Sequence, residues 1–249
     1  MSLSKVRLVF CAALLAPAAG FAAVWQVDVL IYNDREAQNG LLTELPSEVS
    51  APQHPRLLDI EDEAGLRAAG IRLLPESQFG LQQQWSRLLN SKRFEPILQK
   101  TWLQQDPPAK NGPALRIHFG AALPMDRAPS NYYGAAEAPE QALYFGDTQP
   151  AIADSEPELI YTLDGSISLL LSRFLHLEAD LAWTQADRDG VLGSYRLTES
   201  RRMRSGELHH LDSPRFGMLV QIRKTDYESL VPNFNTAPGN EPAPETTGQ

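Results

Sequence analysis

The sequence predicts an α+β protein: mainly antiparallel sheet with one main helix, long irregular loops and a disordered C-terminal tail. Three observations carry that prediction. Apolar residues alternate with polar ones in WQVDVLIYND (25–34), LDGSISLLLSRFLHLEADLAW (163–183) and FGMLVQIRK (216–224), the period of two that turns one strand face toward a core. PESQFGLQQQWSRLLNSKRFEP (75–96) carries the best helical period. The tail VPNFNTAPGNEPAPETTGQ is rich in Pro, Gly and acids and too poor in apolar residues to order itself.

The chain opens on Lys5 and Arg7, an apolar run from Leu8 to about Ala19, and small residues at Gly20 and Ala22. That is the pattern of a secretory signal peptide cut near Ala22, and the run is too short to span a bilayer. The organisation expected is a signal peptide at 1–22, a single α+β domain at 23–228 and a disordered tail at 229–249. Cleavage would remove Cys11, the one cysteine, leaving no disulfide framework and no thiol chemistry. It would also remove two basic residues and no acid, taking the net charge from −9 to −11. So acidic a surface argues against nucleic acid and against a peripheral hold on anionic lipid. The mature chain is expected to carry no membrane span.

Trp25, Val27, Val29 and Ile31 share one face of the first strand, whose other face is only partly polar. Residues 38–55 hold Gly40 and three prolines and read as an irregular loop, followed by a short helix from Glu61 to Ala69 that Gly70 ends. The main helix is expected over about 78–91, with Leu81, Trp85, Leu88 and Leu89 on one face, Glu76 or Ser77 as its cap and Pro96 as its bound. FEPILQKTWLQQ reads as a return strand. Trp85 and Trp102 sit among leucines and are read as core anchors in preference to a sugar-stacking platform. After a Pro, Asn and Gly loop at 106–113, ALRIHFG is a short strand, and 121–157 is a long surface excursion. Long loops are often functional, so Tyr132, Tyr133 and Tyr144 are candidates for ligand contact, with packing onto the core as the alternative.

In LDGSISLLLSRFLHLEADLAW, Ile167, Leu169, Leu171, Leu175, Leu177, Ala179 and Leu181 fall on one face of what reads as one long strand. Arg173 is its one polar interruption, and Ser166, Ser168, Ser172, His176, Glu178 and Asp180 line the other face. A turn at 187–190, a strand from Tyr195 to Met203 and a closing strand from Phe216 follow.

The densest chemistry lies in RRMRSGELHHLDSPRFG (201–217). His209, His210 and Asp212 resemble a metal ligand set, but adjacent residues of an extended chain point to opposite faces, so the two histidines cannot easily share an ion. No metal or other cofactor is therefore expected. Hydrolysis finds no nucleophile elbow, since Asp164-Gly165-Ser166 matches one only superficially, and no phosphate-cradling Gly loop appears. Glu178 and Asp180 are two apart on one strand face and are the sole candidates for a paired acid and base. What survives is a binding face: Arg173 and His176, with Arg202 and Arg204 on the next strand, would form a basic strip able to grip carboxylate-bearing ligands. Its structural rival is cross-strand ion pairing of Glu178 or Asp180 with Arg202 or Arg204.

The first strand WQVDVLIYND, the stretch LDGSISLLLSRFLHLEADL and the closing RRMRSGELHHLDSPRFGMLVQI, in this order after a signal peptide, resemble the CsiV family of proteobacterial periplasmic proteins. The likeness covers 24–34 and 163–222 well and the middle loosely; His210 and Ser213 depart from it, where an aromatic and a His are commoner. It implies a periplasmic, non-catalytic protein that binds peptidoglycan and supports cell-wall synthesis through protein contact. The partners it implies are a penicillin-binding protein or its outer-membrane lipoprotein activator. The rival functions are a cell-wall hydrolase using the Glu178 and Asp180 pair, and an envelope scaffold that touches no glycan.

Overall fold

The structure is a computed structural model that describes residues 23–39, 49–124, 159–186 and 192–225. The expected signal peptide, the 187–190 turn, the tail, and Tyr132, Tyr133 and Tyr144 lie outside the described residues.

Two five-stranded sheets carry the fold. In the first, β1 (Val24–Asp34) is central, flanked by β4 (Phe94–Gln105) and β10 (Phe216–Thr225), with the short β3 (Ile71–Leu73) and β9 (Leu208–Asp212) outside them. In the second the order is β2 (Leu57–Asp59), β5 (Ala114–Pro124), β6 (Leu159–Leu171), β7 (Leu175–Ala186) and β8 (Leu192–Met203). Among the described residues every pairing is antiparallel except β2 with β5. Among the described residues, helix is confined to α1 (Arg35–Asn39), α2 (Glu63–Ala68) and α3 (Gln82–Leu89), with a single 3-10 turn at Glu76–Gln78. The molecule is therefore mainly β, and the helix expected over 78–91 is present but shorter.

Period-two alternation builds the core. Val27, Val29 and Ile31 of β1 and Phe216, Met218, Val220 and Ile222 of β10 meet Leu163, Ile167 and Leu169 of β6 and Leu177, Ala179 and Leu181 of β7 in one buried cluster. Trp102, on the same face of β4, is fully buried, as its leucine neighbours predicted. Each of these larger side chains contributes about 2 kcal/mol by leaving water. The core thus lies between the sheets.

The other face of β1 is also covered. Leu30 and Tyr32 pack with Leu81, while Trp85, Leu88 and Phe94 close over them, so α3 and its lead-in lie on the outside of the first sheet. Asp28 on that face is 0% exposed, and its carboxylate accepts from the Gly80 N–H at 3.0 Å, Thr101 Oγ1 at 2.8 Å, Gln26 Nε2 at 3.1 Å and Arg223 Nη2 at 2.8 Å. Neither Glu76 nor Ser77 caps α3: Leu81 stands at its N-cap with no side-chain hydrogen bond. The Asp28 carboxylate pins the entry to the helix in place of a cap.

Two further expectations change. Pro96 does not bound the helix but sits inside β4, where the pairing with β1 slips between Ile31 and Tyr32; a missing N–H is tolerated at such a bulge. The apparent single strand 163–183 is two, folded back at Ser172–Phe174 so that Leu169 faces Leu177 and Leu171 faces Leu175. A three-residue connection keeps odd residues inward on both arms, so the alternation runs unbroken through the turn. Asp164-Gly165-Ser166 lies mid-strand in β6, with Asp164 ion-paired to Arg116 at 2.7 Å.

Candidate functional site

The β6–β7 turn brings most of the expected basic strip together. Arg202 faces His176 across the β7–β8 pairing, and its Cζ lies 3.3 Å from the centroid of Phe174. Arg173 approaches the same ring at 5.3 Å, so one phenyl ring is shared by two guanidinium groups. His176 Nδ1 lies 3.1 Å from the Phe174 carbonyl oxygen, which fixes the turn against the strand. Arg173 and Arg202 are both exposed. Cation–aromatic contacts of this kind contribute about 0.5–1 kcal/mol at exposed sites. Both side chains remain exposed, so their N–H donors are accessible to a ligand. Such an edge can accept a carboxylate.

Arg204 does not join it. It lies beyond the end of β8 in the turn to β9, ion-pairs with Glu207 at 3.4 Å, and donates its backbone N–H to His209 Nε2 at 3.3 Å. Gly206, with φ of 84°, completes that turn in the left-handed region that suits glycine. Phe174 was missed by the sequence reading, which counted it as one residue of a continuous strand.

The proposed ion pairing across the strip takes another form. Asp180 is held by Arg196 at 2.8 Å and by the Thr198 hydroxyl at 2.9 Å, with Arg196 also reaching Ser50 Oγ at 2.8 Å. Neither Arg202 nor Arg204 pairs with Asp180. Glu178 lies on the same face opposite Ser200 and is exposed. One carboxylate of the pair is thus already tied to a guanidinium and a hydroxyl.

His209 and His210 do point to opposite faces, but on an edge strand, β9, and not on a loose connector. His210 Nε2 meets the Tyr32 hydroxyl on the outer face of the first sheet, with the two rings stacked at 5.9 Å, and Tyr32 also packs edge-on against Phe94 at 5.2 Å. Among the described residues, no three His, Cys, Asp or Glu side chains gather as a metal site. Burial, then the negative charges of Asp212 and Asp34, push the Tyr32 phenol up to about 12, against the opposing pull of Arg93. An unfolded tyrosine loses its proton near pH 10. The folded state therefore keeps a proton that the unfolded state has lost, and this group's contribution to stability, complete below about pH 10, declines as pH rises toward 12. In a spectrophotometric titration, one tyrosine is expected to ionise about two pH units late. Tyr32→Phe should abolish that phase; an unchanged titration curve would contradict the placement.

Two exposed guanidinium groups on an aromatic ring, at the end of a sandwich of two sheets, make a surface suited to binding. The family model described as "Peptidoglycan-binding protein, CsiV" matches residues 3–225, and the chain belongs to that family. No curated protein and no solved structure matches it. Among the described residues, no helix is long and apolar enough to cross a membrane.

Proposed function

We propose that this protein binds peptidoglycan in the periplasm, reached by way of a cleaved signal peptide, as a non-catalytic accessory to cell-wall synthesis. It would act by holding glycan and contacting a penicillin-binding protein or that enzyme's outer-membrane lipoprotein activator. The family's description as peptidoglycan-binding supports the first part. The observation that carries the reading is the Arg173–Phe174–Arg202 edge, since peptidoglycan offers stem carboxylates to pair with its exposed guanidinium groups. Asp180, tied to Arg196, argues against the hydrolase alternative.

Exchanging both arginines, Arg173→Glu with Arg202→Glu, is expected to weaken retention on isolated sacculi by about tenfold or more. Retention by the unaltered protein should also fall as salt is raised, because the contact is at the surface. A folded double variant that is retained as well as the parent would remove this edge from the account.

A further inference from the structure

The corner between β9 and β10 carries Arg215, which is 7% exposed. A guanidinium stays protonated at any ordinary pH, so burying one calls for a counter-charge or a full set of acceptors. Arg215 has neither. Its Nη2 donates to the Tyr195 hydroxyl at 3.2 Å, and its Cζ lies 4.5 Å from the centre of that ring. Nε and Nη1 are buried with no acceptor. Asp34, whose backbone N–H donates to the Arg215 carbonyl at 2.9 Å, commits its own carboxylate to Arg93 at 2.7 Å.

The surroundings suit a ligand with both a charge and an apolar body. Tyr195 stands opposite Trp183 across the β7–β8 pairing, and Trp183 lies 6.5 Å from Phe216. Both Tyr195 and Trp183 are only partly buried, so this aromatic pair reaches the surface while the guanidinium behind it does not. Asn33, opposite Phe216 on β1, has its own buried Oδ1 without a donor. Two open donors on Arg215 and one open acceptor on Asn33 thus flank the same end of the sandwich. Native proteins seldom leave such groups unsatisfied, and each costs about 1–3 kcal/mol, more for a charged one.

We propose that Arg215 anchors a carboxylate-binding site that takes the free C-terminus of a short peptide. Tyr195 turns aside to admit it, the carboxylate fills the vacant guanidinium donors, Asn33 Oδ1 accepts a peptide N–H, and Trp183 covers the small side chains. The site rests on the peptidoglycan reading, because stem peptides present such termini, and it is separate from the Phe174 edge.

The test titrates the purified protein with N-acetyl-D-alanyl-D-alanine and with its C-terminal amide, following tryptophan fluorescence and calorimetry. The acid is expected to bind and the amide to bind about tenfold or more weakly. Arg215→Lys, which keeps the charge but not the fork, should lose a similar factor. No binding of the acid, or equal binding of acid and amide, would overturn the site, and this comparison needs no variant to fold. If the unaltered protein is retained on sacculi but does not discriminate acid from amide, the Arg215 site fails and the peptidoglycan reading stands. If it discriminates but is not retained, the reverse holds.

Discussion

Asp28→Ala is expected to lower the unfolding free energy by about 3–5 kcal/mol, the usual cost of breaking a buried, hydrogen-bonded charge pair. The carboxylate is fully buried and accepts from four groups, among them the Gly80 N–H in the lead-in to α3 and Thr101 Oγ1 of β4, so it ties both segments to β1. Arg223 is 42% exposed on its side chain and can turn to water, which places the expected loss toward the lower end. Gln26 and Thr101 are buried at 8% and 1% and cannot. Asp28→Asn keeps the volume and part of the hydrogen bonding and should cost less. Chemical denaturation reads both, and exchange of the Gly80 amide with solvent should quicken in each. A loss below about 1 kcal/mol for the alanine variant would mean that α3 is held by its apolar contacts alone.

Gly165→Ala is expected to cost about 3 kcal/mol, at the upper end for overpacking, or to prevent folding. Gly165 lies at the centre of the second sheet, opposite Ile117 of β5 and Leu181 of β7. A Cβ there would fall on the Asp180 carbonyl oxygen and 2.5 Å from Leu181 Cα. Backbone in mid-sheet cannot step aside as a flexible side-chain tip can, so β6 and β7 would have to part. Those two strands also carry the Phe174 turn, and any variant that folds should hold the Arg202 stack less well. Thermal unfolding compared with Gly206→Ala, where a Cβ meets nothing within 4 Å and only the positive φ is strained, separates the crowding from backbone effects. Equal losses at the two glycines would contradict the close approach.

Strands were legible because alternation is local. β1 and β10 fall where the apolar period put them, β4 and β8 where a return strand and a following strand were read, and the opposed faces of His209 and His210 follow from strand geometry. The hairpin at Ser172–Phe174 was not legible, since an odd-numbered turn preserves the alternation and this one has no Gly, Asn or Pro to mark it. His176 and Arg202 could still be expected on one side, because antiparallel neighbours at the same phase share a face, whereas Arg173, at the opposite phase, joins them only because it lies in the turn. Arg204 could not be separated from them, as it stands at the same phase one step past the strand end. Asp28, Phe174 and Arg215 gave no local signal at all. Their roles come from α3 lying on the first sheet, from a ring placed by the hairpin, and from a corner that meets Tyr195 of the other sheet.

The central claim is binding without chemistry. Incubating the purified protein with isolated sacculi, pelleting them, and assaying the supernatant for released muropeptides addresses both halves at once. The account predicts that the protein sediments with the sacculi and that the supernatant holds no more muropeptide than a protein-free control. Release of muropeptides, or protein left wholly in the supernatant, would contradict it.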